Sequence, residues 1–129
     1  MSGNVMVSVA QDMPKVRADM LRIVEVLVNL IENSVKYLGD QEGPEIEIGS
    51  RKDGDETVFF VKDNGIGIDP KEHEKVFGLF YKVDRNSEGT GAGLSIVKRI
   101  IEVHGGRIWI ESELGEGCTV CFTLPLADY

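Results

Sequence analysis

No stretch of this chain approaches the roughly 20 apolar residues that a membrane-spanning helix needs. The first residues, Met1 to Gln11, also lack the basic start and apolar run of a signal peptide. The expectation is a cytoplasmic setting without direct membrane contact. Positive charge is scarce too: 14 Lys and Arg stand against 22 Asp and Glu, for a formal net charge of -8. Such an acidic chain is a poor partner for nucleic acid or an anionic bilayer, so any basic cluster in it is the more informative. Cysteine is confined to Cys118 and Cys121. Their spacing matches half of a zinc site, but no second pair completes it. They fall in a strand-like stretch, where residues three apart point to opposite faces, and are expected to be reduced packing residues. Internal repeats, low-complexity tracts and linkers are missing as well. What remains is 129 residues, 42% hydrophobic and 28% charged, which suits one domain over 1–129 with a single core.

The order of elements is legible. Val5, Val7 and Val9 alternate as in a strand. Asp19 can cap a helix running to about Leu38, with an apolar stripe of Ile23, Val24, Leu27, Leu30, Ile31, Val35 and Leu38. Strands follow near Glu45–Arg51 and Glu56–Asp63, with Lys52-Asp53-Gly54-Asp55 as the turn between them. Asp69-Pro70 supplies an N-cap and a first-turn proline for a short helix. Gly78 to Gly89 reads as a loop. A helix from about Gly91 to His104 ends at Gly105-Gly106. Arg107–Ser112 and Cys118–Leu124 form a closing antiparallel pair around Gly115-Glu116-Gly117, which reads as a simple hairpin turn. Strands and helices mix without regular alternation. That predicts a two-layer α/β sandwich, a mixed sheet covered by helices on one face.

Several residues are out of place for structure alone. Asn29, Asn33 and Lys36 fall on a narrow stripe of the long helix, yet Asn is a poor helix former. One reading is a solvated face. The other is a row of carbonyl oxygens for a hard cation such as Mg²⁺, with a lysine for phosphate. Asp63-Asn64-Gly65-Ile66-Gly67 is an ordinary turn up to Gly65, but the second glycine exceeds what a hairpin requires. A carboxylate at the strand end could accept a hydrogen bond from an exocyclic amine such as that of adenine. Gly89-Thr90-Gly91-Ala92-Gly93 opens a helix, where backbone N–H groups can face phosphate oxygens. It is not a P-loop, since no Gly-Lys-Ser/Thr follows it. Nor is it a dinucleotide fingerprint, since an irregular loop rather than a strand leads into it. That loop holds Phe77, Phe80, Tyr81, Lys82 and Arg85, a composition suited either to a lid over a charged ligand or to an anchored surface loop.

Taken in order, these segments resemble the catalytic domain of histidine kinases in the gyrase, chaperone, kinase and mismatch-repair ATPase superfamily. Asn29 to Tyr37 resembles its N box, Asp63 to Ile68 its first glycine box, Phe77 to Asp84 its F box and lid, and Gly89 to Leu94 its second glycine box. The resemblance implies the Bergerat-type ATP-binding fold, with ATP and Mg²⁺ as ligands. It implies Asn33 on Mg²⁺, Asn29 and Lys36 toward the phosphates, Tyr37 beside the nucleotide and Asp63 on the adenine amine. Gly65, Gly67, Gly89, Gly91 and Gly93 would shape the backbone around the ligand. Ile68, Phe80, Thr90, Ala92 and Leu94 complete the implied nucleotide-binding set. Lys82 stands where the family commonly has a lid arginine, so either Lys82 or Arg85 would meet the γ-phosphate.

Relatives that hydrolyse ATP carry a water-activating Glu four residues before the Mg²⁺ Asn. Here that position is Asn29, which cannot act as a base. The resemblance therefore implies transfer to an external histidine rather than hydrolysis, with a helical dimerisation and phosphoacceptor domain and a response regulator as partners. The only histidines, His73 and His104, read as structural or surface residues, and an isolated domain is expected to be monomeric. A stand-alone anti-sigma-type protein serine kinase and a non-enzymatic nucleotide-binding module are the alternatives.

Overall fold

The structure is a computed structural model that describes residues 6–11, 13–36, 38, 43–73, 75–77, 93–113 and 115–126. Its elements are β1 (Met6–Val9), α1 (Met20–Lys36), β2 (Glu45–Asp53), β3 (Glu56–Asp63), two 3₁₀ turns at Pro70–Glu72 and Lys75–Phe77, α2 (Gly93–Val103), β4 (Ile108–Ser112) and β5 (Cys118–Phe122). The strands form one five-stranded sheet in the order β1-β2-β3-β5-β4. Only β1 and β2 run parallel; the other neighbours are antiparallel.

Three boundaries have a local cause. The Asp19 carboxylate accepts hydrogen bonds from the N–H groups of Leu21 and Arg22 and so caps α1. Asp69 does the same for the first 3₁₀ turn through Lys71 N–H, with Pro70 entering next. The expected short helix is therefore two 3₁₀ turns. α2 ends as Gly105 N–H bonds Glu102 C=O and Gly106 N–H bonds Ile101 C=O, a Schellman pattern.

α1 and α2 run antiparallel over one face of the sheet. Their Val26, Leu30, Leu94, Val97, Ile100 and Ile101 pack against Ile46, Ile48, Phe59, Val61, Ile110, Val120 and Phe122. The apolar stripe expected on α1 needs correcting. Val26 is completely buried, whereas Val24 and Val35 are 51% and 48% exposed. The helix is turned so that the Val26-Leu30-Ser34 line meets the sheet and α2. The helix also stops at Lys36, short of Leu38.

Among the described residues no helix covers the sheet's outer face, but that face is not bare. Arg51 on β2 makes a bidentate bond to Glu111 on β4, at 3.1 and 2.6 Å, passing over the intervening strands. Arg107 pairs with Glu56 and lies over the Trp109 ring, 4.9 Å from its centroid. Under this roof of long side chains Val58 and Cys121 are fully buried. Cys118 and Cys121 are both free and point to opposite faces, as their spacing predicts. Burial pushes their thiols up to about 12 and about 11, respectively. Among the described residues no helix is long and apolar enough to cross a membrane.

Candidate functional site

α1 presents Asn29 and Asn33 half-buried and Lys36 exposed. Asn29 Nδ2 donates to Glu25 C=O at 2.8 Å, one turn back in its own helix. Its Oδ1 faces the start of α2, where a Cβ added to Gly93 would lie 3.2 Å away. The N box and the end of the second glycine box therefore meet at one end of the helix pair. At the other end, Asp19 N–H donates to His104 Nε2 at 3.1 Å, and His104 Nδ1 bonds Ile100 C=O at 2.8 Å. That pairing makes His104 a strut between the helices. His73 is tied to Ile68 C=O at 3.2 Å. Both histidines are thus held by hydrogen bonds within the fold.

Asp63, the last residue of β3, is only 6% exposed and points to the helical side. Its carboxylate accepts from Gly65 N–H at 2.9 Å. The Ser34 hydroxyl on α1 and the Cys118 N–H lie close by and favour its charged form. Burial pushes the carboxyl above its ordinary value, and those three neighbours partly hold it back. Ser34 is itself 2% exposed and directly follows Asn33. A buried carboxylate and a half-buried amide thus sit at the same end of the sandwich, joined through one serine.

The loop from Asp63 to Ile68 is clamped against the β4–β5 hairpin. Gly67 has φ +78°, and a Cβ there would fall 2.0 Å from Glu113 C=O. Gly117 has φ +82°, and its Cβ would fall 2.2 Å from Asp63 C=O. Only glycine meets both demands. Gly117 is therefore more than a turn residue, which corrects the reading of Gly115-Glu116-Gly117 as a simple hairpin. Gly115 N–H bonds Ile66 C=O at 2.8 Å. Ser112 Oγ accepts from Ile68 N–H at 2.7 Å and donates to Gly117 C=O at 2.6 Å. On the other side Asn64 Oδ1 accepts from Glu45 N–H at 2.8 Å, and Nδ2 donates to Gly43 C=O at 3.0 Å. Ser34, Ser112 and Gly117 carried no signal in the sequence, because each contact joins residues remote along the chain.

Ile68 and Leu94 are buried members of the core cluster. Gly65 is buried beside Asp63. Tyr37, Phe80, Lys82, Arg85, Gly89, Thr90, Gly91 and Ala92 lie outside the described residues.

Residues 18–128 match the family described as histidine kinase-, DNA gyrase B-, and HSP90-like ATPase. The chain belongs to this family. Within the ATPase family, the chain is 64% identical over 124 residues to the methanogenesis regulatory histidine kinase FilI of Methanothrix harundinacea (strain 6Ac). That match covers 96% of this chain but 14% of the relative. The fold matches full-length ShkA in complex with AMPPNP, with a TM-score of 0.77 and 31% identity, over 95% of this chain and 25% of ShkA. It also matches the catalytic domain of the histidine kinase ThkA, with a TM-score of 0.74 and 32% identity, over 95% of this chain and 80% of that one. The chain thus spans about one seventh of the length of the kinase FilI.

Proposed function

We propose that this domain binds Mg²⁺–ATP and holds the γ-phosphate for transfer to a histidine on a separate helical dimerisation domain, as the ATP-binding half of a sensor histidine kinase. The observation that carries this is the approach of the buried Ser34 on α1 to the Asp63 carboxylate at the end of β3. It brings the carboxylate suited to an adenine amine beside the helix turn that bears Asn33.

Asp63 would accept from the exocyclic amine of adenine, with Gly65 and Gly67 letting the loop approach the ring. Asn33 suits a hard cation: it is half-buried, its oxygen is an amide carbonyl, and its side chain has no partner among the described residues. Mg²⁺ held there would neutralise charge on the phosphate oxygens. Lys36 would add a point charge, and Lys82 or Arg85 would approach the γ-phosphate. In the transfer, the bond from the γ-phosphorus to the bridging oxygen breaks, a bond to imidazole nitrogen forms, and ADP leaves with the electron pair. The domain's own contribution is placement and charge stabilisation. Asn29 is bonded to its own helix and has no basic group to activate water, which favours transfer over hydrolysis. On this reading the domain works in the cytoplasm, where ATP is supplied, and a response regulator takes the phosphoryl group onward.

The test is calorimetric titration with Mg²⁺ and a non-hydrolysable ATP analogue. Binding is expected for the wild-type chain and lost in Asp63→Ala; equal binding by the two would refute the site. Adding a dimerisation-helix fragment of the parent kinase and labelled ATP should yield an acid-labile phosphate. An acid-stable product would point to a serine kinase instead.

A further inference from the structure

Asp63, Cys118 and Ser112 form a row across three adjacent strands, since Cys118 pairs with Asp63 on one side and with Ser112 on the other. Each lies at the end of its strand nearest the candidate site. Asp63 supplies the carboxylate and Ser112 supplies a hydroxyl that touches the loop leaving that carboxylate. The hydroxyl accepts from Ile68 N–H at 2.7 Å and donates to Gly117 C=O at 2.6 Å, so both its proton and a lone pair are used. Gly117 in turn lies against the Asp63 carbonyl.

The Asp63–Ile68 loop therefore hangs between two fixings. Asn64 ties its start to the β2 side through Glu45 and Gly43. Ser112 ties its end to the β4–β5 hairpin. Between them, Gly65 N–H sets the direction of the Asp63 carboxylate. If the Ile68 end moves, Gly65 moves with it and the carboxylate loses its fixed aim.

We propose that Ser112 is a positioning residue for purine selectivity: its hydroxyl sets the height of the Asp63–Ile68 loop and thereby the preference for adenine over guanine. The inference rests on the adenine-site reading above and extends it to a residue that does not touch the ligand. Adenine offers an amine donor to Asp63. Guanine would turn a carbonyl oxygen toward the same carboxylate, and two acceptors repel. Discrimination by repulsion requires a carboxylate that cannot swing aside.

The experiment measures ADP and GDP affinities calorimetrically, with Mg²⁺, for the wild-type chain, Ser112→Ala and Ser112→Thr. Ser112→Ala should weaken ADP about tenfold while changing GDP by less than about twofold, and Ser112→Thr should restore the preference. A Ser112→Ala chain that folds and keeps the wild-type ADP-to-GDP ratio, while its Ile68 amide exchanges faster, would show that the hydroxyl only holds the fold. Should Ser112→Ala fail to fold, the wild-type chain decides. There ADP should slow Ile68 amide exchange well beyond what tripolyphosphate does, and equal slowing overturns the proposal. A wild-type chain that binds no ADP overturns the adenine-site reading and this inference together. A chain that loses ADP on Asp63→Ala but not on Ser112→Ala overturns this inference alone.

Discussion

The Ser34 hydroxyl on α1 lies close to the Asp63 carboxylate at the end of β3. Both side chains are nearly sealed from solvent, at 2% and 6% exposure. A helix and a strand thereby meet at the point where a ligand would need both, and the contact offsets only part of the cost of burying a carboxylate.

That residual cost predicts a pH dependence. The Asp63 carboxyl is raised above its ordinary value, chiefly by burial. A raised acid favours the folded state while protonated, and the advantage disappears as pH climbs from the ordinary carboxyl value through the raised folded one. Asp63→Asn removes this titration. Its melting temperature should exceed that of wild type at pH 7, and the gap should close below pH 4. Thermal melts across that range check it, and a gap independent of pH would contradict the assignment. The same variant should bind ATP analogues about 100-fold more weakly, because an amide N–H₂ cannot reproduce the carboxylate's acceptor face.

Gly117→Ala and Gly67→Ala place a methyl group on a carbonyl oxygen in a left-handed backbone region. Each should destabilise the fold by about 3 kcal/mol or more. Urea denaturation measures the loss. Gly115→Ala has open space around the new Cβ and bears only the backbone strain, so its loss should be the smaller.

Asn33→Ala should leave stability unchanged or improved by about 0.5 kcal/mol, since Ala is the better helix former. Affinity for the nucleotide with Mg²⁺ should fall about 10- to 100-fold. Titration with and without Mg²⁺ separates the effects: in the variant, adding Mg²⁺ should no longer help. A variant that keeps the full Mg²⁺ dependence would remove Asn33 from the proposed metal site.

Cys118 and Cys121 should not react with a thiol reagent such as dithionitrobenzoate at pH 8 in the folded chain. Burial keeps them protonated, with values near 12 and 11. Labelling should follow global unfolding in urea. Rapid labelling of either thiol without denaturant would show that the strand ends open locally.

Much of the architecture follows from local chemistry. The Asp19 cap, the Asp69-Pro70 entry and the Gly105-Gly106 stop each depend on residues a few positions apart, which a sequence displays directly. Asp63 at a strand end and Asn33 on a helix were visible for the same reason. The rotation of α1 was not. The period of the helix shows that a stripe exists, but Val24 and Val26 compete for the buried face, and the contacts with α2 and the sheet decide between them. Asn64 shows the same limit: it reads as a routine turn residue, and the structure uses it to fasten the loop to Gly43 and Glu45.

By itself, then, the chain's order of residues determined the elements, their caps, the polar stripe on α1 and the glycine-flanked carboxylate, because these depend on spacing along a few turns or a few residues of strand. Only the tertiary structure decided that Asp63, Cys118 and Ser112 share one row, that Ser34 reaches Asp63, and that Gly117 lies against its carbonyl. Cross-strand register and helix docking join residues tens of positions apart, and they are fixed by the packing of the whole core rather than by any local period.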